Sequence, residues 1–239
     1  MKLLLIGRGR MGSLLRQTAE AAVDQVVAAY GREDLGALER LDKVADVIVD
    51  FSQPGALPAV AAYVRRTGTA LVSGVTGYTP EQLDTLRALG DAAPVLWSAN
   101  FSMGVAVLYR AVGMAAKALG PDFDIEITEA HHGKKVDAPS GTAKLLLQAV
   151  DPDSALTPLY GREGRCGERT KSEIGIHALR GGSVAGTHTV YFLGPDEELE
   201  FTHRAASRQI FVNGALQMAR RLSGMGPGFY DIQQILFGN

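Results

Sequence analysis

The chain has 239 residues, of which 46% are hydrophobic and 21% are charged, and its formal net charge is −2 at pH 7. This composition predicts a globular protein of one large or two modest domains, and it excludes the basic surface expected of a partner for nucleic acid or an anionic membrane. The single cysteine excludes an intramolecular disulfide and indicates a reducing, cytoplasmic location.

The first hundred residues alternate between strand and helix patterns. Residues 1–6 are apolar but too short for a signal sequence or a membrane span, so they predict a buried strand. Further strands are predicted at 25–30, 45–51, 69–74 and 94–98, with helices at 13–22, 56–66 and 80–89. This alternation predicts an α/β fold with a Rossmann-type, doubly wound parallel sheet that binds ligands at its strand carboxyl ends.

The first strand leads directly into the loop Gly7-Arg8-Gly9-Arg10-Met11-Gly12. This is the G-x-G-x-x-G pattern of a dinucleotide-binding turn, placed between a strand and a helix as that pattern requires. Gly7 permits the tight turn, Gly9 lets a pyrophosphate approach the backbone, and Gly12 permits close packing of helix on strand. The alternative is a strand–turn–helix connection with only a structural role.

The end of the second predicted strand bears on the choice of cofactor. It has the sequence Tyr30-Gly31-Arg32, without the acid that usually accepts the ribose hydroxyls of NAD. Arg32 is suited to a ribose 2′-phosphate, which favours NADPH, but Glu33 and Asp34 follow at once and leave NADH open. The alternative is that Arg32 is a solvated turn residue.

After residue 104 the pattern changes to antiparallel hairpins. A helix is predicted at 105–119, a strand at 124–130, a loop at 152–171, and strands at 173–179, 187–192 and 197–203. We expect a smaller α+β domain with a mixed four-stranded sheet, one face of which carries helices while the other supports oligomerisation. A helix at 207–222 and residues 230–237 return to the first domain. The predicted domains are 1–102 with 209–239 for the dinucleotide, and 103–208 for substrate binding and oligomerisation.

The segment from His131 to Thr142 lies between a predicted strand and a predicted helix. Ser140 is a favourable helix N-cap, so the backbone N–H groups of Gly141, Thr142 and Ala143 point outward from the helix start, where anions bind. His131, His132 and Lys135 add groups that donate protons or hold negative charge. The segment predicts an anion-binding pocket that transfers protons. The alternative is a solvated charged turn, and adjacent histidines without a further ligand do not indicate a metal site.

The chain resembles the dihydrodipicolinate reductase family, the lysine-pathway reductases of bacteria and plants, over essentially its whole length. The resemblance rests on the glycine loop, Val-Asp-Phe-Ser (49–52), Gly-Val-Thr-Gly (74–77), Ala-Asn-Phe-Ser-x-Gly (99–104), Glu-Ala-His-His-x-x-Lys-x-Asp-Ala-Pro-Ser-Gly-Thr-Ala (129–143) and Arg-Ala-x-Ser-Arg (204–208). The glycine loop is one residue shorter than the longer form common in the family, and position 31 is glycine where many members carry an acid.

The resemblance implies NAD(P)H-dependent reduction of 4-hydroxy-tetrahydrodipicolinate, a cyclic dicarboxylate, to tetrahydrodipicolinate in the diaminopimelate route to L-lysine by a homotetramer. It implies His131 and Lys135 as catalytic residues, and His132, Lys135, Ser140, Gly141 and Thr142 as substrate-binding residues. It implies Gly7, Arg8, Gly9, Arg10, Met11, Gly12, Arg32, Gly74, Val75, Thr76, Ser98, Ala99, Asn100 and Phe101 at the cofactor, with Arg208 and Phe211 closing over it from the second domain.

Two other functions remain open at this point. One is a non-catalytic NAD(P)H-sensing protein that keeps the nucleotide fold. The other is a different Rossmann oxidoreductase, acting on a semialdehyde or a sugar. Such an enzyme would need a catalytic cysteine or a different arrangement of lysine and histidine, and Cys166 lies in a polar loop without an obvious partner base.

Overall fold

The chain forms two units in a computed structural model that describes residues 1–22 and 24–238. The first unit consists of Met1–Ser102 together with Gln209–Asn239, and the second consists of Met103–Arg208.

The first unit begins with the predicted alternation of strands and helices. Its elements are β1 (Lys2–Ile6), α1 (Arg10–Ala21), β2 (Gln25–Tyr30), a 3-10 segment (Arg32–Glu39), β3 (Val47–Asp50), α2 (Leu57–Thr67), β4 (Ala70–Ser73), α3 (Pro80–Leu89) and β5 (Pro94–Trp97). All residues of β3 and β4 are buried, as expected of parallel strands covered on both faces. The five strands and three helices predicted here are confirmed.

Local sequence signals explain where these helices begin and end. At the start of α3, the Thr79 hydroxyl accepts from the Gln82 N–H, and Pro80 occupies the first turn, where its missing N–H costs nothing. Helix α2 ends at Gly68, whose φ of 64° lies in the left-handed region that favours glycine.

The second unit contains a mixed sheet with two helices. Its elements are α4 (Met103–Leu119), β6 (Asp124–His131), α5 (Gly141–Val150), β7 (Thr157–Leu159), β8 (Glu173–Arg180), β9 (Gly186–Leu193) and β10 (Glu198–Ala205). The strand order is β10-β9-β6-β8-β7. Strand β9 is antiparallel to its neighbours β10 and β6, and β8 is parallel to its neighbours β6 and β7. The mixed sheet is confirmed, but the expected number of four strands is wrong, because β7 forms within the predicted loop.

Alternation along β6 determines what its two faces carry. Ile125 and Ile127 are buried in the core that also contains Leu108 and Val112 of α4 and Leu146 of α5. By the two-residue period of a strand, Glu129 and His131 lie on this same face. A charged residue therefore occupies the helix-covered side of the sheet.

Helix α4 together with the 3-10 turn that follows it is long and apolar enough for a membrane span, by length and composition only. The segment Met103–Asp122 has a mean hydropathy of 1.2. Leu108 and Val112 of this segment lie in the core of the second unit, which gives its apolar residues a packing role.

The chain then returns to the first unit through α6 (Gln209–Leu222), β11 (Gly228–Tyr230) and α7 (Ile232–Phe237). Helix α6 packs against α1 and against β3, β4 and β5. Strand β11 pairs in parallel with β5, so the sheet order is β11-β5-β4-β3-β1-β2. The return of the C-terminal segment to the first unit is confirmed, whereas β11 was not predicted.

Candidate active site

In the first unit, a cavity of about 430 Å³ opens at the carboxyl ends of β1, β2 and β3. Its lining residues are Ile6, Gly7, Arg8, Gly9, Gly31, Arg32, Leu35, Phe51, Ser52, Gln53, Gly55 and Ala56. We call this cavity the cofactor crevice. It brings together the predicted residues Gly7, Arg8, Gly9 and Arg32, while Arg10, Met11 and Gly12 form the first turn of α1.

The glycines of the loop have separate roles. Gly7 has a φ of 105°, and a Cβ on it would lie 2.9 Å from the Phe51 carbonyl oxygen. A Cβ on Gly12 would lie 1.9 Å from the Gly7 carbonyl oxygen, so α1 can start here only without a side chain. A Cβ on Gly9 would meet no atom within 4 Å, so the space beside this helix N-cap is open. The loop therefore fits a dinucleotide pyrophosphate, which needs close access to backbone N–H groups.

Two arginines and one carboxylate surround Gly31 at the other side of the crevice. The Arg8 guanidinium donates to the Ala29 carbonyl oxygen and lies 2.6 Å from an Asp34 carboxylate oxygen. The same Asp34 oxygen accepts from the Gly31 N–H at 3.2 Å. Arg32 donates to the side-chain oxygen of Gln53. Arg32 therefore faces the crevice instead of being only a solvated turn residue.

The remaining predicted cofactor residues of this unit follow β4 and β5. Gly74, Val75 and Thr76 come after β4, and Ser98, Ala99, Asn100 and Phe101 come after β5. The Phe51 and Phe101 rings pack with their centroids 5.6 Å apart, and a Cβ on Gly74 would lie 2.5 Å from the Phe51 ring. Because β4 and β5 are neighbours, the two segments lie at the same sheet edge.

The placement of Phe211 in the second domain is wrong. Phe211 lies in α6, which packs on the first sheet, whereas Arg208 is the last residue of the second unit.

Asp50, at the end of β3, is a buried acid in the first unit that the sequence did not single out. One of its carboxylate oxygens accepts from the Ser52 N–H at 2.9 Å and from the Ser52 hydroxyl at 2.6 Å. Burial raises the pKa of Asp50 to about 6, despite these two hydrogen bonds.

In the second unit, four residues form one hydrogen-bonded group that we call the Glu129 cluster: Glu129, His131, Ser140 and Arg180. His131 Nδ1 lies 2.6 Å from Glu129 Oε2. The Arg180 guanidinium donates to both Glu129 oxygens at 2.7 Å, and the Ser140 N–H donates to Oε1 at 3.0 Å. Burial alone would raise the pKa of Glu129, but the hydrogen bonds from Arg180, His131 and Ser140 outweigh it and lower that pKa.

The start of α5 follows the predicted N-cap. Ser140 Oγ accepts from the Ala143 N–H at 3.1 Å, so this N–H group, which we expected to be available to an anion, is already engaged. Gly141 and Thr142 occupy the first two helical positions, at the positive end of the helix dipole. Ser140 Oγ also lies 2.9 Å from Nε2 of His188, whose ring stands edge-on to that of His131 with centroids 5.1 Å apart.

The two other predicted residues of this segment lie next to the Glu129 cluster in sequence. Lys135 Nζ lies 2.7 Å from an Asp137 carboxylate oxygen, so the positive charge predicted here is held in an ion pair. The His132 N–H donates to the Val184 carbonyl oxygen, and its Nδ1 is buried without a hydrogen-bond partner in the described chain. Among residues 1–22 and 24–238, no group of three or more His, Cys, Asp or Glu side chains is placed to hold a metal ion.

Sequence reasoning missed Glu129, Arg180 and His188 as members of this site. Glu129 had a usable signal, because it occupies a position of β6 where the two-residue period predicts an apolar residue. Arg180 and His188 are brought to Glu129 by pairing of β6 with β8 and β9, which the sequence does not specify.

Comparison with known proteins identifies the family. The family described as "Dihydrodipicolinate reductase, N-terminus" matches residues 1–101, and "Dihydrodipicolinate reductase, C-terminus" matches residues 104–236. The chain belongs to the dihydrodipicolinate reductase family.

Individual relatives agree with this family membership. The chain is 38% identical to a 4-hydroxy-tetrahydrodipicolinate reductase of an Exiguobacterium species, over 98% of this chain and 95% of the relative. It is 41% identical to the reductase of the same name from Alkalilimnicola ehrlichii, over 95% of each chain. A dipicolinate-bound dihydrodipicolinate reductase from Paenisporosarcina sp. TG-14 shares the fold, with a TM-score of 0.80, 24% identity and 99% coverage of both chains.

Proposed function

We propose that the chain catalyses the NAD(P)H-dependent reduction of 4-hydroxy-tetrahydrodipicolinate to tetrahydrodipicolinate in the diaminopimelate route to L-lysine. The observation that carries this proposal is the Glu129 cluster, in which a histidine suited to proton transfer shares one carboxylate with the start of an anion-binding helix. The family membership of both halves of the chain supports the same reaction.

The first unit, residues 1–102 with 209–239, is proposed to bind the cofactor. Its glycine loop, Gly7 through Gly12, would hold the pyrophosphate, and Arg32 would hold the adenosine ribose with Arg8 near it. The segments Gly74–Thr76 and Ser98–Phe101 would lie near the nicotinamide, with Phe211 as a further contact. When bound, the reduced nicotinamide supplies a hydride. The absence of an acid at position 31 favours NADPH. The Asp34 carboxylate lies beside Gly31 and could accept the ribose hydroxyls of NADH, which keeps NADH as a second cofactor.

The second unit, residues 103–208, is proposed to hold the two substrate carboxylates. Lys135 supplies a full positive charge, and the N–H groups of Gly141 and Thr142 supply the partial positive charge of a helix start. His132 is proposed as a further polar contact. In this arrangement the Lys135 ammonium leaves the Asp137 carboxylate and pairs with a substrate carboxylate. Because Asp137 is exposed, breaking its ion pair with Lys135 costs little free energy.

The hydrogen bonds around Ser140 support its hydroxyl as a hydrogen-bond donor to the substrate. Burial, followed by the nearby His131, lowers the pKa of His188 to about 4, so His188 is neutral at pH 7. Its Nδ1 is buried without a partner in the described residues, and an unpaired N–H is costlier than an unpaired lone pair, so the proton belongs on Nε2. Ser140 Oγ then accepts from both His188 and Ala143, and its own hydrogen remains for a carboxylate.

His131 is proposed as the proton donor. Reduction of the ring leaves an enamine-like carbon that must gain a proton, and a histidine is the side chain best matched to that transfer near neutral pH. Since Nδ1 of His131 is bound to Glu129, Nε2 is the nitrogen that gives the proton; the ring gives it from its imidazolium form and is left neutral with its remaining proton on Nδ1. A Cβ on Gly186 would lie 3.1 Å from Nε2, so glycine at this position keeps the space beside it open.

The test compares the wild-type chain with His131→Ala, and uses as a control His177→Ala, which removes another histidine that is bonded to a glutamate. Oxidation of NADPH and NADH is followed with freshly made substrate, and cofactor affinity is measured separately. We expect His131→Ala to lower kcat by about 10²- to 10⁴-fold without a change in cofactor affinity. Cofactor binding without turnover in the wild type would favour a sensor, and turnover only with other carbonyl compounds would favour a different oxidoreductase.

The second unit is also proposed to mediate assembly of a cytoplasmic homotetramer. Helices α4 and α5 pack on one face of its sheet, while Leu179, on the other face, is 56% exposed. An exposed apolar side chain on a sheet face without helices is suited to a second copy of the chain. Light scattering should give four times the monomer mass, and a monomeric mass at enzymatic concentrations would contradict the proposal.

A further inference from the structure

Glu129 is the buried acid on the helix-covered face of β6. Its side chain has no exposed surface, and a carboxylate in such a place is costly unless it is paired and fully hydrogen-bonded. Here each oxygen accepts two hydrogen bonds: Oε1 from Arg180 and the Ser140 N–H, and Oε2 from Arg180 and His131 Nδ1. The carboxylate is therefore fully satisfied.

The two bonds that do not involve Arg180 go to the two functional parts of the site. One reaches the ring of the proposed proton donor, and the other reaches the backbone of the residue that caps α5. Arg180 is itself held by donating to the carbonyl oxygens of Leu179 and Asp137. The position of Glu129 is thus set by Arg180, and Glu129 in turn sets the positions of His131 and Ser140.

We propose that Glu129 is a positioning residue that fixes His131 as the Nδ1–H tautomer and holds it in register with the anion-binding start of α5. This inference rests on the proposed function, because it assigns to His131 the proton transfer described above. The nitrogen that carries the reacting proton is set by the partner of the other ring nitrogen. A carboxylate accepts only, so Nδ1 keeps its proton; the ring gives the substrate the Nε2 proton of its imidazolium form and is left as the neutral Nδ1–H tautomer.

The substitution Glu129→Gln changes this constraint with almost no change in volume. Arg180 and Ser140 both donate, so the amide oxygen is best placed at the Oε1 position, with the amide NH₂ facing His131 Nδ1. Nδ1 would then accept instead of donate, and the neutral ring would become the Nε2–H tautomer. We expect kcat to fall by about 10²- to 10⁴-fold, because an amide NH₂ facing Nδ1 disfavours the imidazolium that gives the Nε2 proton and holds the neutral ring in the wrong tautomer.

Glu126 provides a matched control on the same strand. It lies on the opposite face and accepts from Arg162, Arg169 and His177, so it too is a glutamate between arginines and a histidine. If the loss in Glu129→Gln came only from removing an ion-paired acid from β6, Glu126→Gln would show a similar loss. We expect Glu126→Gln to keep kcat within about threefold of the wild type.

The experiment measures kcat, KM, thermal unfolding and the ¹⁵N chemical shifts of the histidine rings in full-length wild type, Glu129→Gln and Glu126→Gln. The shifts identify which nitrogen of neutral His131 carries the proton, and assignment uses His131→Ala. A change of tautomer with loss of kcat in Glu129→Gln alone would support the proposal. An unchanged His131 tautomer, or equal losses of kcat in both variants, would overturn it.

A second variant and the substrate-free spectra keep the result decisive. Should Glu129→Gln not fold, Glu129→Asp is the second variant. It keeps the negative charge but moves the carboxylate one methylene farther from His131, and we expect it to lower kcat by about tenfold. Wild-type kcat in folded Glu129→Asp would overturn the proposal. The tautomer of wild-type His131 is read without substrate, so a chain with the Nδ1–H tautomer but no turnover would refute the proposed function and not the positioning by Glu129.

Discussion

The ligand sites of the two units are formed by different kinds of chemical group, backbone in the first unit and side chains in the second. The cofactor crevice of the first unit depends on backbone and on missing side chains, with Gly7 and Gly12 in places where a Cβ would overlap neighbouring carbonyl groups. The Glu129 cluster of the second unit depends on polar and charged side chains from two strands, β6 and β8, and a helix start. The first kind of site is specified by a short stretch of sequence, whereas the second exists only after the sheet has formed.

This difference predicts different consequences of substitution. In the first unit, the harmful changes are additions of atoms at the glycines. In the second unit, the harmful changes are losses of charge or of a single hydrogen-bond partner, because a buried group left alone keeps its full desolvation cost. The following predictions test that contrast, beginning with the largest expected effect.

Gly12→Ala should destabilise the first unit by more than about 4 kcal/mol, because its Cβ would lie 1.9 Å from the backbone oxygen of Gly7 and no flexible side chain can yield. Gly9→Ala is the matched control, since its Cβ meets no atom within 4 Å and only the helix N-cap changes, at a cost of about 1 kcal/mol. We expect Gly9→Ala to fold and to bind NADPH more weakly. Chemical unfolding and cofactor titration measure both. Wild-type stability in Gly12→Ala would contradict a backbone-built site.

Lys135→Ala should lower kcat/KM by about 10²- to 10³-fold, because a full charge at a substrate carboxylate is lost. Lys134→Ala removes the same charge from the adjacent, exposed position and should have little effect. Steady-state kinetics of the two variants under identical conditions give the comparison. Equal effects would indicate that general positive charge, and not the placement of Lys135, attracts the substrate.

The pH dependence of stability should differ in sign between buried groups of the two units. The pKa of Asp50 is raised from 3.8 to about 6, so its contribution to stability is present at low pH and is lost as the pH rises through 6. The pKa of His188 is lowered from 6.5 to about 4, so its contribution is present above pH 6.5 and is lost as the pH falls through 4. Each contribution is on the order of 3 kcal/mol.

Urea unfolding between about pH 4 and pH 7 separates the two contributions. Relative to the wild type, Asp50→Asn should gain stability as the pH rises, and His188→Gln should lose less stability as the pH falls. Parallel pH profiles for the wild type and both variants would show that burial of Asp50 and of His188 does not affect the free energy of unfolding.

The sequence was sufficient for most of the fold. Apolar strands separated by amphipathic helices located β1 through β5, and alternation located β6, β8, β9 and β10. It was insufficient for β7 and β11, which have three residues each and therefore too few positions to show a period. Their pairing with β8 and β5 supplies the stabilisation that the local sequence does not reveal.

The candidate site divides in the same way. The glycine loop and the segment from His131 to Thr142 were found because their residues are contiguous. The ion pair of Lys135 with Asp137 and the engagement of the Ala143 N–H were not foreseen, since each depends on the conformation of a turn. Arg180 could not be found from the sequence at all, because only the parallel pairing of β6 with β8 brings it to Glu129.

The interruption of the first unit by the second has a consequence for folding during translation. The ribosome delivers β1 through β5 first, but α6, which packs on three of those strands, and β11, which pairs with β5, are made only after the whole of residues 103–208. Until then β5 is an unpaired sheet edge and apolar surface that α6 later covers stays in water. The middle of this polypeptide is therefore able to complete its structure before its beginning does.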